Sequence, residues 1–164
     1  MKTLLSIDRP PTDVDVERIR LILSTYQDGS GMLKLKNGAT LPGWRDFERS
    51  VAAAFNGHPT ENKGIYDVLL DAGTNLHIGI SCKMRNQLHE VDKTGRVSME
   101  LSNAAGKFWD ILKEKNINQQ NYQDYASQVG AILLHQVESW HKQIDSENGG
   151  TVLTSKSFFL SLQY

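Results

Sequence analysis

Apolar residues recur along this chain at two periods, and the switches between them mark out its elements. After an N-terminal arm ending at Pro10-Pro11, "TDVDVERIRLILSTYQ" carries Val16, Ile19, Leu23 and Tyr26 at helical spacing, with Thr12 or Asp13 as cap and "DGSG" at 28–31 as stop. "MLKLKNGATL" reads as a small hairpin or loop. In "PGWRDFERSVAAAFNG", Trp44, Phe47, Val51 and Phe55 line one helical face and Gly57 is the expected stop. A polar loop at 58–63 precedes strands over 65–71 and 76–84, joined by the turn "DAGTN", and "KTGR" at 93–96 is a further turn. A helix is expected over 98–115, carrying Leu101, Ala104, Ala105, Phe108, Ile111 and Leu112. Another is expected over 121–144, with Tyr122, Tyr125, Val129, Ile132, Leu133, Val137 and Trp140. After the loop "SENGG" the period returns to two in "SKSFFLSLQY", where Phe158, Leu160, Leu162 and Tyr164 alternate. The order predicts an α/β (α+β) domain with a small mixed β-sheet flanked by helices.

Within this pattern several charged residues stand where apolar ones belong. In the second strand Leu76, Ile78, Ile80, Cys82 and Met84 share one face, and His77, Gly79, Ser81, Lys83 and Arg85 share the other, with Gly79 leaving room beside Ser81 and Lys83. Asp67 shares its face of the first strand with Ile65 and Leu69. Antiparallel pairing across the 71–75 turn would bring Asp67 near Ser81 and Lys83. Glu48 lies on the apolar face of the 44–55 helix, and Glu100 lies near the start of the 98–115 helix, in line with Ala104 and Ile111. A carboxylate on an apolar face needs a partner, although one in the first turn of a helix also gains from the helix dipole.

Composition narrows the setting. The chain has 164 residues, 39% hydrophobic and 23% charged, which suits one globular domain. No apolar run approaches the roughly 20 residues of a membrane span. Asp8 and Arg9 interrupt the opening "MKTLLSIDRPPTD" before a signal-peptide core forms, so a cytoplasmic location is expected. The single cysteine, Cys82, excludes an intrachain disulfide framework and a cysteine-based zinc site, and its face makes it a small core residue. Eighteen Lys plus Arg against nineteen Asp plus Glu give a net charge of −1, which argues against a protein that coats nucleic acid nonspecifically. A DNA enzyme is not excluded, because metal-binding acids offset basic residues in the sum.

Carboxylates, a lysine and a hydroxyl converging at one sheet edge are what metal-dependent phosphodiester hydrolysis requires. Mg²⁺ prefers oxygen ligands and is commonly held by one or two carboxylates plus phosphate and water. The cation neutralises charge in the transition state, and a nearby ammonium orients the attacking water.

"YDVLLDAGTNLHIGISCKMR", behind a helix containing "RDFERSVAAAF", resembles the PD-(D/E)xK nuclease superfamily, particularly type II restriction endonucleases. That family places a catalytic Asp on one strand and a (D/E)-x-K tripeptide on the next, within a core of helix, strands and helix. The resemblance covers residues 42–115 and, more weakly, the final strand. Asp67 matches the first acid and Lys83 the lysine, while Ile65-Tyr66 replaces the proline expected before Asp67 and Ser81 stands in place of the second acid. Family members of this S-x-K form supply the missing carboxylate from the following helix. The resemblance thus implies Glu100 as the migrated acid, with Glu90 and Asp92 as rivals, and Glu48 as an additional helix ligand. Glu48 has a second reading, a bridge to Arg45 or Arg49 on its own helix.

The expected whole is a single nuclease-like domain, with an arm and helix over 1–40 and a catalytic core over 42–164. The resemblance implies Mg²⁺ as cofactor, double-stranded DNA as substrate and a homodimer that matches a palindromic target. In that dimer the 121–144 helix is either an interface or a core element. Ser81 either hydrogen-bonds a metal water or only packs. Lys63, Arg85, Lys93 and Arg96 surround the site and are candidates for DNA-backbone contacts. His135 and His141 lack the spacing of a helical zinc pair, His58, His77 and His89 fit no nuclease signature, and His77 reads as a lone surface residue. Two rival readings are a repair or recombination nuclease of the same fold and an inactive nuclease-like binding module, the latter favoured by Ser81.

Overall fold

The computed structural model describes residues 12–60, 65–86, 91–95 and 105–164. Helix α1 (Asp13–Ser24) begins at Thr12, whose hydroxyl accepts from the Asp15 amide while the Asp15 carboxylate accepts from the Thr12 amide. This reciprocal box satisfies donors that a helix start leaves open. The helix tightens into a 3₁₀ turn over Thr25–Asp28. Ile19 and Leu23 pack on the core, whereas Val16 stays exposed. Strands β1 (Leu33–Lys34) and β2 (Thr40–Leu41) form a short antiparallel hairpin.

Helix α2 (Trp44–Phe55) buries Phe47, Val51, Ala52 and Ala54. Trp44 has the right period for that stripe but is 58% exposed. It stands at the first position of the helix, where the Arg45 guanidinium covers its ring at 4.8 Å from the centroid. Asn56, not Gly57, takes the left-handed conformation that ends α2, at φ 53°. Gly57 serves close approach instead, since a side chain there would meet the Leu69 carbonyl and the Val68 and Leu70 side chains. Arg18 Nη1 donates to the Ala54 carbonyl at 3.0 Å and ties α1 to α2.

The main sheet is mixed. Strands β3 (His58–Pro59), β4 (Val68–Gly73) and β5 (Leu76–Arg85) form an antiparallel meander. Strands β6 (Thr151–Val152) and β7 (Phe158–Gln163) both pair parallel to β5, at its start and along its second half. Val68 faces Ile80 and Leu70 faces Ile78 across β4 and β5. The turn is shorter than the expected 71–75 because β4 runs on to Gly73 and Asn75, at φ 57°, reverses the chain. The two-residue strand β3 falls in the stretch read from sequence as a polar loop, and β6 falls between the "SENGG" loop and the final strand, where no element was expected.

Where a turn was expected at 93–96, a single helical turn α3 (Val91–Thr94) is followed by Gly95 at φ 66°. Helix α4 (Ala105–Glu114) falls within the expected 98–115 helix, of which residues 98–104 lie outside the described residues. A 3₁₀ turn (Tyr122–Tyr125) leads into α5 (Ala126–Asn148), which runs four residues past its expected end to Gly149 at φ 67°.

Two apolar clusters lie on the sheet. Val68, Leu70, Ile78, Ile80 and Cys82 pack against Phe47, Val51 and Ala52 of α2, joined by Phe158, Leu160 and Leu162 of β7. Tyr66, Leu69 and Val152 pack with Ile144 of α5. Ile144 is the one buried residue of α5 among those described, and Leu134 is 67% exposed, so the apolar circumference of this helix is not core along its length. No described helix is long and apolar enough to cross a membrane.

Candidate functional site

The site is built outward from the backbone of Asp67, just before β4. Its amide donates to the Ile80 carbonyl at 2.9 Å, and its carbonyl accepts from the Thr60 amide at 3.0 Å. Thr60 Oγ1 also donates to the Tyr66 carbonyl at 2.6 Å. The Tyr66 ring lies over Gly79, filling the space that the sequence reading left open beside Ser81 and Lys83. A residue held on both sides in this way has little freedom to turn its side chain elsewhere.

The Asp67 carboxylate is therefore aimed across β5. Its Oδ2 accepts from the Cys82 backbone amide at 2.7 Å and from Ser81 Oγ at 3.3 Å. Both bonds fall on the same oxygen, and Oδ1 accepts none from the described residues. Ser81 is 1% exposed, so its hydroxyl is committed to the carboxylate and does not face solvent. The expected approach of Asp67 to Ser81 is present, and Lys83 follows on the same face of β5, half-buried.

Glu48 approaches from α2. It is half-buried and makes no hydrogen bond or ion pair with a described residue, including Arg45 and Arg49. Burial, and then the negative charge of Asp67, push its carboxyl up to about 7 against the pull of Lys83, Arg45 and Arg49. Burial together with Asp67 and Glu48 also raises the Cys82 thiol, again opposed by Lys83. Glu48, Asp67 and Lys83 thus act on one stretch of β5. Cys82 itself packs in the core on the α2 side, as its strand face suggested, and stays a protonated thiol.

Three carboxylates were expected here, and the described residues supply two. Among them no group of three or more His, Cys, Asp or Glu side chains gathers in a metal-binding arrangement. Glu100 and Glu90 lie outside the described residues, as does the side chain of Asp92. Lys63, Arg96 and His89 are likewise outside them, while Lys93 is exposed on α3. The donors that are present fit a hard cation. Among the described residues, one oxygen of Asp67 is uncommitted and Glu48 beside it has no hydrogen-bond or ion-pair partner, and Mg²⁺ asks the protein for one or two carboxylates.

His77 is not the lone surface residue expected. Its side chain is 16% exposed and its Nδ1 lies 3.2 Å from Asp71 Oδ1, while His58 Nε2 lies 3.2 Å from Asp71 Oδ2. The His58 contact holds the Asp71 carboxyl below the ordinary range against the opposing effect of burial, with a lesser pull from His77. Sequence spacing gave no sign of this group, because His58 reaches it through β3, a two-residue strand without its own apolar pattern. The Cys82 amide, the strongest anchor of Asp67, is equally invisible in side-chain patterns.

The chain matches no model of a known protein family, no characterised protein and no solved structure.

Proposed function

We propose that the protein is a Mg²⁺-dependent endonuclease that hydrolyses phosphodiester bonds in double-stranded DNA, as a type II restriction enzyme or its catalytic domain. The observation that carries this reading is the half-buried Glu48 carboxyl, beside Asp67 and Lys83 and without a hydrogen-bond or ion-pair partner among the described residues. An arrangement that keeps two acids together without a bridging base is relieved by a cation.

Asp67 and Glu48 would hold the ion, with Glu100 the further ligand implied by the family resemblance. A bound Mg²⁺ supplies charge neutralisation on the phosphate and a lowered pKa for bound water. Ser81 and the Cys82 amide fix Asp67 through Oδ2 and leave Oδ1 for a ligand. The Lys83 ammonium orients the attacking water and stabilises it as it loses its proton. Cleavage leaves a 3′-hydroxyl and a 5′-phosphate, and a homodimer gives each strand its own site.

The second reading is an inactive nuclease-like module. It is favoured by Ser81, which occupies the place of an acid and donates to one oxygen of Asp67. Incubating supercoiled plasmid with the protein in Mg²⁺ or in EDTA separates the readings. Discrete fragments that require Mg²⁺ support a restriction enzyme, whereas a smear or junction cutting supports a repair nuclease. An intact plasmid in Mg²⁺ supports the inactive module and overturns the proposal.

A further inference from the structure

Beyond Lys83, the same face of the sheet continues as a row of side chains able to donate hydrogen bonds. The parallel register of β5 and β7 sets Lys83 beside Ser161 and Arg85 beside Gln163. Paired residues of neighbouring strands project to the same side, so these four side chains form one strip running away from Asp67. Two of its polar atoms, Ser161 Oγ and Arg85 Nε, are buried and have no hydrogen-bond partner among the described residues. No described carboxylate forms an ion pair with Arg85 or Lys83. An arginine Nε can only donate, so the partner it lacks is an acceptor.

We infer that Arg85, Ser161 and Gln163 form a subsite for a phosphodiester oxyanion next to the one that Lys83 faces. This rests on the endonuclease reading and extends it to the neighbouring nucleotide. Two arguments favour a phosphate there. A strand rises about 3.3 Å per residue, so the Lys83 and Arg85 rows stand roughly 6.6 Å apart. That spacing is comparable to the separation of successive phosphates along one nucleic-acid strand. The charge also changes along the strip: two acids, Asp67 and Glu48, cluster at the Ser81 end, while the Arg85 end carries a cation and two neutral side chains that can donate. A cation suits the first end and an oxyanion the second.

The inference is tested by fluorescence anisotropy with a labelled DNA duplex in EDTA, which prevents cleavage, over a series of salt concentrations. Arg85→Gln should weaken binding roughly tenfold and reduce the slope of log affinity against log salt by about 1. Arg85→Lys should retain the slope while losing part of the affinity, and Ser161→Ala should weaken binding roughly threefold at unchanged slope. Thermal melts establish that each variant is folded. A water-filled structural role for these atoms would alter the melt but not the salt slope. Wild-type slope and affinity in folded Arg85→Gln would overturn the inference, as would a wild-type protein without measurable affinity for the duplex. A parallel plasmid assay in Mg²⁺ keeps the two claims apart. Cleavage without Arg85-dependent binding removes the subsite alone, whereas Arg85-dependent binding without cleavage removes the endonuclease and leaves the oxyanion site.

Discussion

Asp67 and Asp71 stand four residues apart on the same approach to the sheet, and each meets side chains of β5, yet their surroundings differ in kind. Asp71 is exposed and lies between two imidazoles, one near each oxygen, which favour its charged form. Asp67 is half-buried, has one oxygen held by the Cys82 amide and Ser81, and shares its neighbourhood with a second acid and a lysine. The first is a carboxylate with an imidazole beside each oxygen at the surface. The second keeps acceptor capacity unspent where burial makes unspent capacity expensive. Location on a strand beside a basic residue does not separate a surface pair from a candidate site. What separates them is which oxygens are left over and what charge lies behind them.

That contrast can be broken most sharply by catalysis. Lys83→Ala and Asp67→Asn should each lower plasmid cleavage at least about a thousandfold, with Asp71→Asn remaining within roughly twofold of wild type. Equal losses in all three would erase the distinction between the two aspartates. Next in size is the packing that holds Asp67 in place. A methyl group at Gly79 would collide with the Tyr66 ring, so Gly79→Ala should destabilise the fold by about 2–3 kcal/mol in urea denaturation. A neutral result would mean that Tyr66 does not constrain the strand beside Asp67.

Glu48 gives a smaller effect of defined sign. The Glu48 carboxyl is raised from 4.5 to about 7 in the fold. Below the ordinary value both folded and unfolded chains hold the proton and Glu48 does not oppose folding. Between the ordinary and folded values the unfolded chain binds fewer protons, so stability declines as pH rises and the loss is complete above the folded value. Without divalent cation, and above that pH, Glu48→Gln should stabilise the protein by on the order of 1–2 kcal/mol, allowing for partial solvent screening. A melting series in which wild type and variant stay parallel across this range would contradict the burial of Glu48. The least effect belongs to the surface group. The lowered Asp71 carboxyl contributes stability above its ordinary value that disappears as pH falls through its folded value. Asp71→Asn should therefore cost less than about 1 kcal/mol at neutral pH and flatten only the acid limb of the stability profile.

The elements themselves were readable where a long period dominates. The α2 stripe of Phe47 and Val51, the alternation along β5 and the apolar side of β7 all appear in the structure with the faces assigned from spacing. Reading failed where a residue shares a period but stands at an element's end, as Trp44 does, and where a strand has only two residues, as in β3 and β6. Of the site, the sequence marked Asp67, Ser81, Lys83 and Glu48 as residues out of keeping with their surroundings. It could not say that Ser81 and a backbone amide would take up one oxygen of Asp67, nor that Tyr66 would occupy the space above Gly79.

Local pattern alone therefore determined that this chain makes its longer helices and strands in this order, with a lysine and acids set against apolar faces. Strand register, the parallel placement of β7 against β5 and the approach of α2 over the sheet belonged to the tertiary structure. The physical reason is range. Periodicity follows from the geometry of a few consecutive residues, whereas the company a charge keeps depends on segments brought together from distant parts of the chain.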